Sequence, residues 1–178
     1  YFRGWWDRVI SFVFIIFLSF PALVLAILIT ALLERSLRTI SITLGILSVA
    51  PVGRVARATT ISFAEREFVL AARTLGAKNG RIIVRELLPN VLIPMSALAL
   101  LGMAVAVVAE GGLAFLGLSV EKGPTWGKVI LTGAGSRDLQ TAPWIAIIPI
   151  IVLFLTVLAL NFAGDRIRSY FDVKETAL

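Results

Sequence analysis

Long uncharged apolar runs, separated by short polar stretches, set the pattern of this chain. The first covers residues 9–33 and contains Pro21. A helix needs about 20 apolar residues to cross a bilayer, so this run predicts one span with a tolerated kink at the proline. The polar stretch Glu34-Arg35-Ser36-Leu37-Arg38 follows. A weaker run over residues 39–53 predicts a second span, irregular or tilted at Gly45 and Pro51, with its helix continuing through Arg54 and Arg57. Residues 91–109 form a third run without charge, which continues past Glu110 into 111–118. A stretch rich in Gly, Thr and Trp, residues 119–142, reads as a loop. The fourth span is expected over residues 144–164, with a polar tail from Asp165 onward. No repeat or low-complexity segment interrupts this order. The pattern predicts an all-α integral membrane protein, a polytopic helical bundle with four spans.

Composition agrees. The 178 residues are 58% hydrophobic and 16% charged, with a mean hydropathy of +0.95. Soluble domains run nearer half apolar and a quarter charged, and no soluble core of this length buries so much apolar surface. There is no cysteine and no histidine, which removes disulfides, thiolate chemistry, the usual zinc sites and imidazole catalysis. The first residue is Tyr1 rather than Met, which is expected either of a fragment or of a protein seen only in part. The first apolar run is too long for a signal peptide and lacks a cleavage site.

The net charge of +6 lies between the apolar runs, so it is read first as topology. Residues 54–86 hold Arg54, Arg57, Arg66, Arg73, Lys78, Arg81 and Arg85, seven of the 17 basic residues. Short basic loops stay in the cytoplasm. That side then carries 12 basic residues, including Arg3, Arg8, Arg166, Arg168 and Lys174, against five outside: Arg35, Arg38, Lys122, Lys128 and Arg137. Both ends of the chain are expected in the cytoplasm of a multi-pass cell-membrane protein. No basic stripe with interleaved aromatics lies outside the spans, so nucleic acid is not an expected partner.

The basic loop has local signals of its own. Ser62-Phe63-Ala64-Glu65 fits a capping box and predicts a helix over residues 63–75. Phe68, Ala71, Ala72 and Leu75 share a face at helical spacing. Gly76 stands where a left-handed cap ends a helix. Asn79 is placed to cap a second short helix over 81–88, with Pro89 at its limit. The expectation is a helix-turn-helix over residues 62–88 with a basic rim of Arg66, Arg73, Arg81 and Arg85. An apolar stripe with a basic border suits a lipid surface and a protein cleft equally well.

A resemblance separates the two. The stretch from Phe68 to Asn90, with Ala71, Ala72, Gly76, Leu88 and Pro89 at the matching positions, resembles the EAA loop of ABC importer permeases, in particular the dipeptide/oligopeptide/nickel permease family. Glu110-Gly-Gly-Leu-Ala-Phe-Leu-Gly-Leu-Ser119, Pro124-Thr-Trp-Gly127 and Asn161-Phe-Ala-Gly-Asp-Arg-Ile-Arg168 are similar to later stretches of that family, in the same order. The motif glutamate is Leu70 in this chain, and an isoleucine position before Leu-Pro is Glu86.

The resemblance implies a type I ABC importer permease domain over residues 1–178, lacking two upstream spans. Residues 62–88 would be its coupling element. The ATPase-docking residues would be Glu67, Ala71, Ala72, Arg73, Gly76, Ala77, Leu88 and Pro89. With Leu70 in place of the glutamate, docking would rest on shape, small residues and the basic rim. The implied partners are ABC ATPase subunits that bind ATP and Mg, a second homologous permease, an extracytoplasmic substrate-binding protein and the lipid bilayer. The implied cargo is di- or oligopeptides, with nickel chelates or another small solute as the alternative. No cofactor is expected in this chain itself, and no metal.

Other candidates carry two readings each. Glu110 is the one acid among the apolar residues of the third run. A carboxylate in a bilayer is costly, so it reads as a pore or gate residue, or as a helix cap at the outer interface before Gly111-Gly112. Trp5, Trp6, Trp126 and Trp144 suit substrate stacking or an interfacial belt, and Trp126 and Gly127 mark the outer loop. Lys128 and Arg137 suit a peptide carboxylate or solvent. Gly102, Ala106, Gly111, Gly112 and Gly117 offer close helix contact to a second permease. Asp165, Arg166 and Arg168 mark a helix end. Gly123-Pro-Thr-Trp-Gly-Lys-Val129 is one spacer short of a phosphate loop and has Val in the hydroxyl position, so the chain is not expected to hydrolyse ATP. A secondary transporter would carry ionisable residues deep in several spans. A membrane scaffold would show the same spans, and only the motif matches speak against it.

Overall fold

The computed structural model describes residues 1–176, with side chains through Ser169; residues 177–178, and the side chain of Lys174 from the charge tally, lie outside the described part. Helices α1 (Trp5–Ser19), α2 (Ala22–Leu32) and α3 (Leu37–Ala64) come first. Next are α4 (Glu67–Thr74) and α5 (Asn79–Arg81), a π-helical turn (Ile82–Leu87) and α6 (Leu88–Phe115). Then follow α7 (Trp126–Gly133), α8 (Ser136–Thr141) and α9 (Trp144–Thr176). No strand occurs among the described residues.

Three stretches are long and apolar enough to cross a membrane: Leu37–Ala64, Asn79–Phe115 and Trp144–Ser169. The broken pair α1 and α2 makes a fourth if it counts as one span. Here the expected continuous first span is corrected. A residue before proline disfavours the helical region, and Pro21 itself is extended at ψ 120. The helix therefore stops at Ser19 and restarts with Val24 and Leu25 N–H donating to the Pro21 carbonyl. Pro51, Pro94 and Pro149, in contrast, lie within uninterrupted helices.

Three further expectations change. Residues 119–142 are not simply a loop, since they fold α7 and α8. The tail from Asp165 continues α9. The second short helix of the basic loop is not separate: α5 passes through the π turn into α6. The ring of Pro89 would crowd the carbonyl four residues back. The wider turn relieves this, with Leu88 N–H donating to the Ile83 carbonyl, and the Asn90 side chain donating to the Glu86 carbonyl at 2.6 Å.

The chain forms two compact units, one from Tyr1–Ser19, Val49–Leu100 and the chain from Ala163 on, the other from Phe20–Ser48 and Leu101–Phe162. In the first, Phe63, Val69, Ile82, Leu87 and Val91 form the core. In the second, the core is Ala26, Ile40, Leu113 and Val120. Long rows of exposed apolar side chains, such as Ile151, Phe154 and Leu155 on α9, are the surface expected of helices meeting lipid or other helices rather than water.

Candidate functional site

The basic loop builds around α4. The capping box is absent. Ser62, Phe63 and Ala64 instead end α3, with Glu65 and Arg66 N–H donating to the Ser62 and Phe63 carbonyls in a tightened last turn. Arg66 is the extended residue before α4 and makes no side-chain cap. Its guanidinium lies 4.5 Å from the centre of the Phe63 ring. Glu65 pairs with Arg3.

At the other end of α4, Gly76 has φ +78. Its N–H donates to the Arg73 carbonyl at 2.9 Å, and Ala77 N–H donates to the Ala72 carbonyl at 3.0 Å. These two bonds define a Schellman cap, which needs a left-handed residue. Asn79 does not cap the next helix. The cap position is Lys78, without a side-chain bond, and Asn79 Oδ1 accepts from the Tyr1 hydroxyl at 2.8 Å. The Tyr1 ring also lies 5.3 Å from the Arg73 guanidinium. Residues at the chain start thus staple the turn, a contact that no local pattern announces.

The expected face of α4 divides. Val69 is fully buried, and Phe68, Ala72 and Ala77 pack partly against the same core. Ala72 and Ala77 therefore belong to the internal packing, where a small side chain lets α4 approach. Glu67, Ala71, Arg73, Gly76, Leu88 and Pro89 are exposed. So are Leu70 at 61% and Leu75 at 87%, two apolar residues absent from the predicted docking set. Leu75 lies on the face drawn from helical spacing, whereas nothing in that spacing points to Leu70. The result is an eight-residue helix, ending in a rigid left-handed turn, that presents leucines and arginine outward between two long helices.

The second cluster lies in residues 110–128. Glu110 is not at a helix end, because α6 continues to Phe115 and closes at Gly117 (φ +75). Its Oε1 accepts from the Ser119 hydroxyl at 2.8 Å. Ser119 and Thr125 hydroxyls are 3.2 Å apart, and Thr125 Oγ1 caps α7 by accepting from Lys128 N–H. The Pro-x-Trp-Gly stretch is thus a helix start. Gly127 is required by proximity: a Cβ there would lie 2.7 Å from both Ala114 Cβ and Gly111 Cα. Lys128 Nζ donates to the Val120 and Glu121 carbonyls, so its charge is used internally rather than held free for a carboxylate. The sequence pattern missed Arg35, which donates to the Gly117 carbonyl at 2.6 Å and pairs with Glu121 at 3.3 Å.

Trp5 and Trp6 belong to the first unit and Trp126 and Trp144 to the second, and Trp5, Trp126 and Trp144 are each the first residue of a helix. Gly102, Gly112 and Gly117 have open space where a Cβ would stand. No group of three or more acidic, His or Cys side chains is placed to hold a metal among the described residues.

Comparison with known proteins gives one consistent answer. A family described as "Binding-protein-dependent transport system inner membrane component" matches residues 1–174. The dipeptide transport system permease protein DppC of Alkalihalophilus pseudofirmus is 41% identical over 98% of the chain and 57% of that relative. The glutathione transport system permease protein GsiD is similar at 30% in Shigella dysenteriae serotype 1, over 98% of the chain and 57% of the relative. The same protein of Escherichia coli O157:H7 is 31% identical, with the same coverage. The chain thus spans 57% of the length of the curated relatives it matches.

Proposed function

The chain belongs to the family of binding-protein-dependent transport system inner membrane components, and from that premise we propose that it is the pore-forming part of an ATP-driven ABC importer of small peptides. It acts as a non-catalytic subunit, and ATP and Mg are bound by partner ATPases. Similarity to permeases named for dipeptides and for glutathione supports the peptide class. A second permease completes the pore, a binding protein delivers cargo on the outer side, and the ends of this chain face the cytoplasm.

One observation carries the reading: α4 and its Schellman turn present Leu70 and Leu75 to solvent while Val69 anchors the same helix in the core. An exposed apolar tip with a basic rim, on a stiff turn, suits a protein cleft better than solvent. Residues 62–88 serve as the coupling element. Docked ATPases, on closing, move α4 as a rigid body and so alter access to the pore.

Reconstitution of the whole importer tests this. ATP hydrolysis is expected to rise with liganded binding protein, and peptide uptake is expected to need the ATPase. Uptake without any ATPase would sink the proposal.

A further inference from the structure

Segment 117–128 contains two left-handed glycines, Gly117 and Gly123 at φ +75 and +98, so its backbone is not self-defining. One side chain from α6, one from the link between α2 and α3, and one of its own take up its polar groups. Arg35 holds the Gly117 carbonyl and the Glu121 carboxylate, while Glu121 N–H donates back to the Arg35 carbonyl at 2.8 Å. Glu110 holds Ser119, and Lys128 holds two carbonyls from within. The inner residues Ser119 and Val120 are buried, whereas residues 121–124 are exposed and Trp126 is 46% exposed. Glu110 is also the one charged residue in the 28 residues of α6. A carboxylate kept there at a solvation cost has a defined task, and one of its oxygens is committed to this segment.

We propose that Glu110 and Arg35 are positioning residues that hold segment 117–128 as a preformed platform for the substrate-carrying binding protein. This rests on the importer reading above. A partner that binds a preformed surface loses apparent affinity in proportion to the fraction of time that surface is lost. Releasing the clamp therefore raises the concentration of binding protein needed for half-maximal ATPase stimulation, and leaves the maximal rate and the basal rate unchanged.

The test uses the complete importer in proteoliposomes, titrated with liganded binding protein, together with hydrogen exchange of residues 117–128. Glu110→Ala and Ser119→Ala are each expected to raise the half-saturating concentration about tenfold, the loss of one charge-assisted hydrogen bond. Their double variant should be no worse than either single, because they share one bond. Glu110→Gln keeps an acceptor and should return within about twofold of wild type. Arg35→Ala should act like Glu110→Ala, and exchange in 117–128 should quicken in both. Should Glu110→Ala fail to insert, Ser119→Ala carries the test alone.

An unchanged half-saturation in an importer whose wild type is stimulated overturns the proposal. So does a fall in maximal rate at constant half-saturation, which would put Glu110 in the substrate path. A wild type that the binding protein does not stimulate defeats the importer reading itself and the platform with it, whatever the exchange shows.

Discussion

Replacing Gly76 is expected to uncouple ATP hydrolysis from transport, in graded steps that backbone geometry sets. An added Cβ at Gly76 meets nothing within 4 Å, so no clash enters. The cost is that of φ +78. For an ordinary residue the left-handed region costs about 1–2 kcal/mol; Asn tolerates it more readily and a β-branched residue less. The ranking is therefore Asn, then Ala, then Val. An Ala at about 1.4 kcal/mol reduces the population of the intact turn about tenfold relative to competing conformations. In those conformations the Ala72 and Arg73 carbonyls lose their Schellman partners, and the exposed tip at Leu75 changes direction. Gly80 is the control. It lies in α5, also with open space around an added Cβ, so Gly80→Ala should stabilise by about 0.5–1 kcal/mol. The assay is peptides transported per ATP hydrolysed in proteoliposomes, with insertion checked by yield and protease protection. Uncoupling should follow Asn, Ala, Val in rising order, and Gly80→Ala should leave the ratio unchanged. Equal ratios for all the Gly76 variants would refute the reasoning, because the left-handed cap would then have no part in coupling.

Three other outcomes follow from packing. Gly127→Ala places a Cβ 2.7 Å from Gly111 backbone and from Ala114; it should destabilise by about 1–3 kcal/mol, seen as a lower melting temperature of the detergent-solubilised protein. Leu75→Asp touches no core, since Leu75 is 87% exposed; melting should stay at the wild-type value while co-purification with the ATPase is lost, and retained co-purification would exclude the tip as the docking surface. Val69→Ala empties space in a fully buried site and should cost about 2 kcal/mol, lowering the melting temperature through the fold rather than through docking.

Much of this molecule was legible because its signals are local. Three of the apolar runs became continuous helices that start within a few residues of their expected limits, and α3 carried on through Arg54 and Arg57 as expected, while α9 ran well past its expected end. Gly76 took the left-handed conformation that its place after α4 demanded. The capping signals failed for an equally local reason. Ser62 and Asn79 have the right residue types, but α3 runs longer than the box allows, and Tyr1 occupies Asn79. A cap is a weak preference, worth about 1 kcal/mol, and core packing of Phe63 and Val69 outweighs it.

The distinction between the prolines was not available from the sequence either. Pro21, Pro51, Pro94 and Pro149 all lie in apolar runs, yet only the first breaks its helix. Likewise, the small residues at 71 and 72 read as one docking face, whereas the fold turns Ala72 inward and leaves Ala71 outside. Glu110 offered two roles on paper; α6 runs past it to Phe115, so it does not cap that helix, and its partner Ser119 lies beyond a chain reversal at Gly117.

By itself, the amino-acid order determined that this chain is built of helices long and apolar enough to cross a membrane, where its charges concentrate, and where its chain must turn through a left-handed glycine. Each of these depends on hydrophobicity or backbone sterics within a turn or two of helix. Only the tertiary structure decided which side of α4 is free, which glycines are pressed against a neighbour, and which side chains hold segment 117–128. Those depend on contacts between residues far apart in the chain, such as Arg35 with Gly117 and Tyr1 with Asn79, and a local pattern does not encode what will arrive beside it.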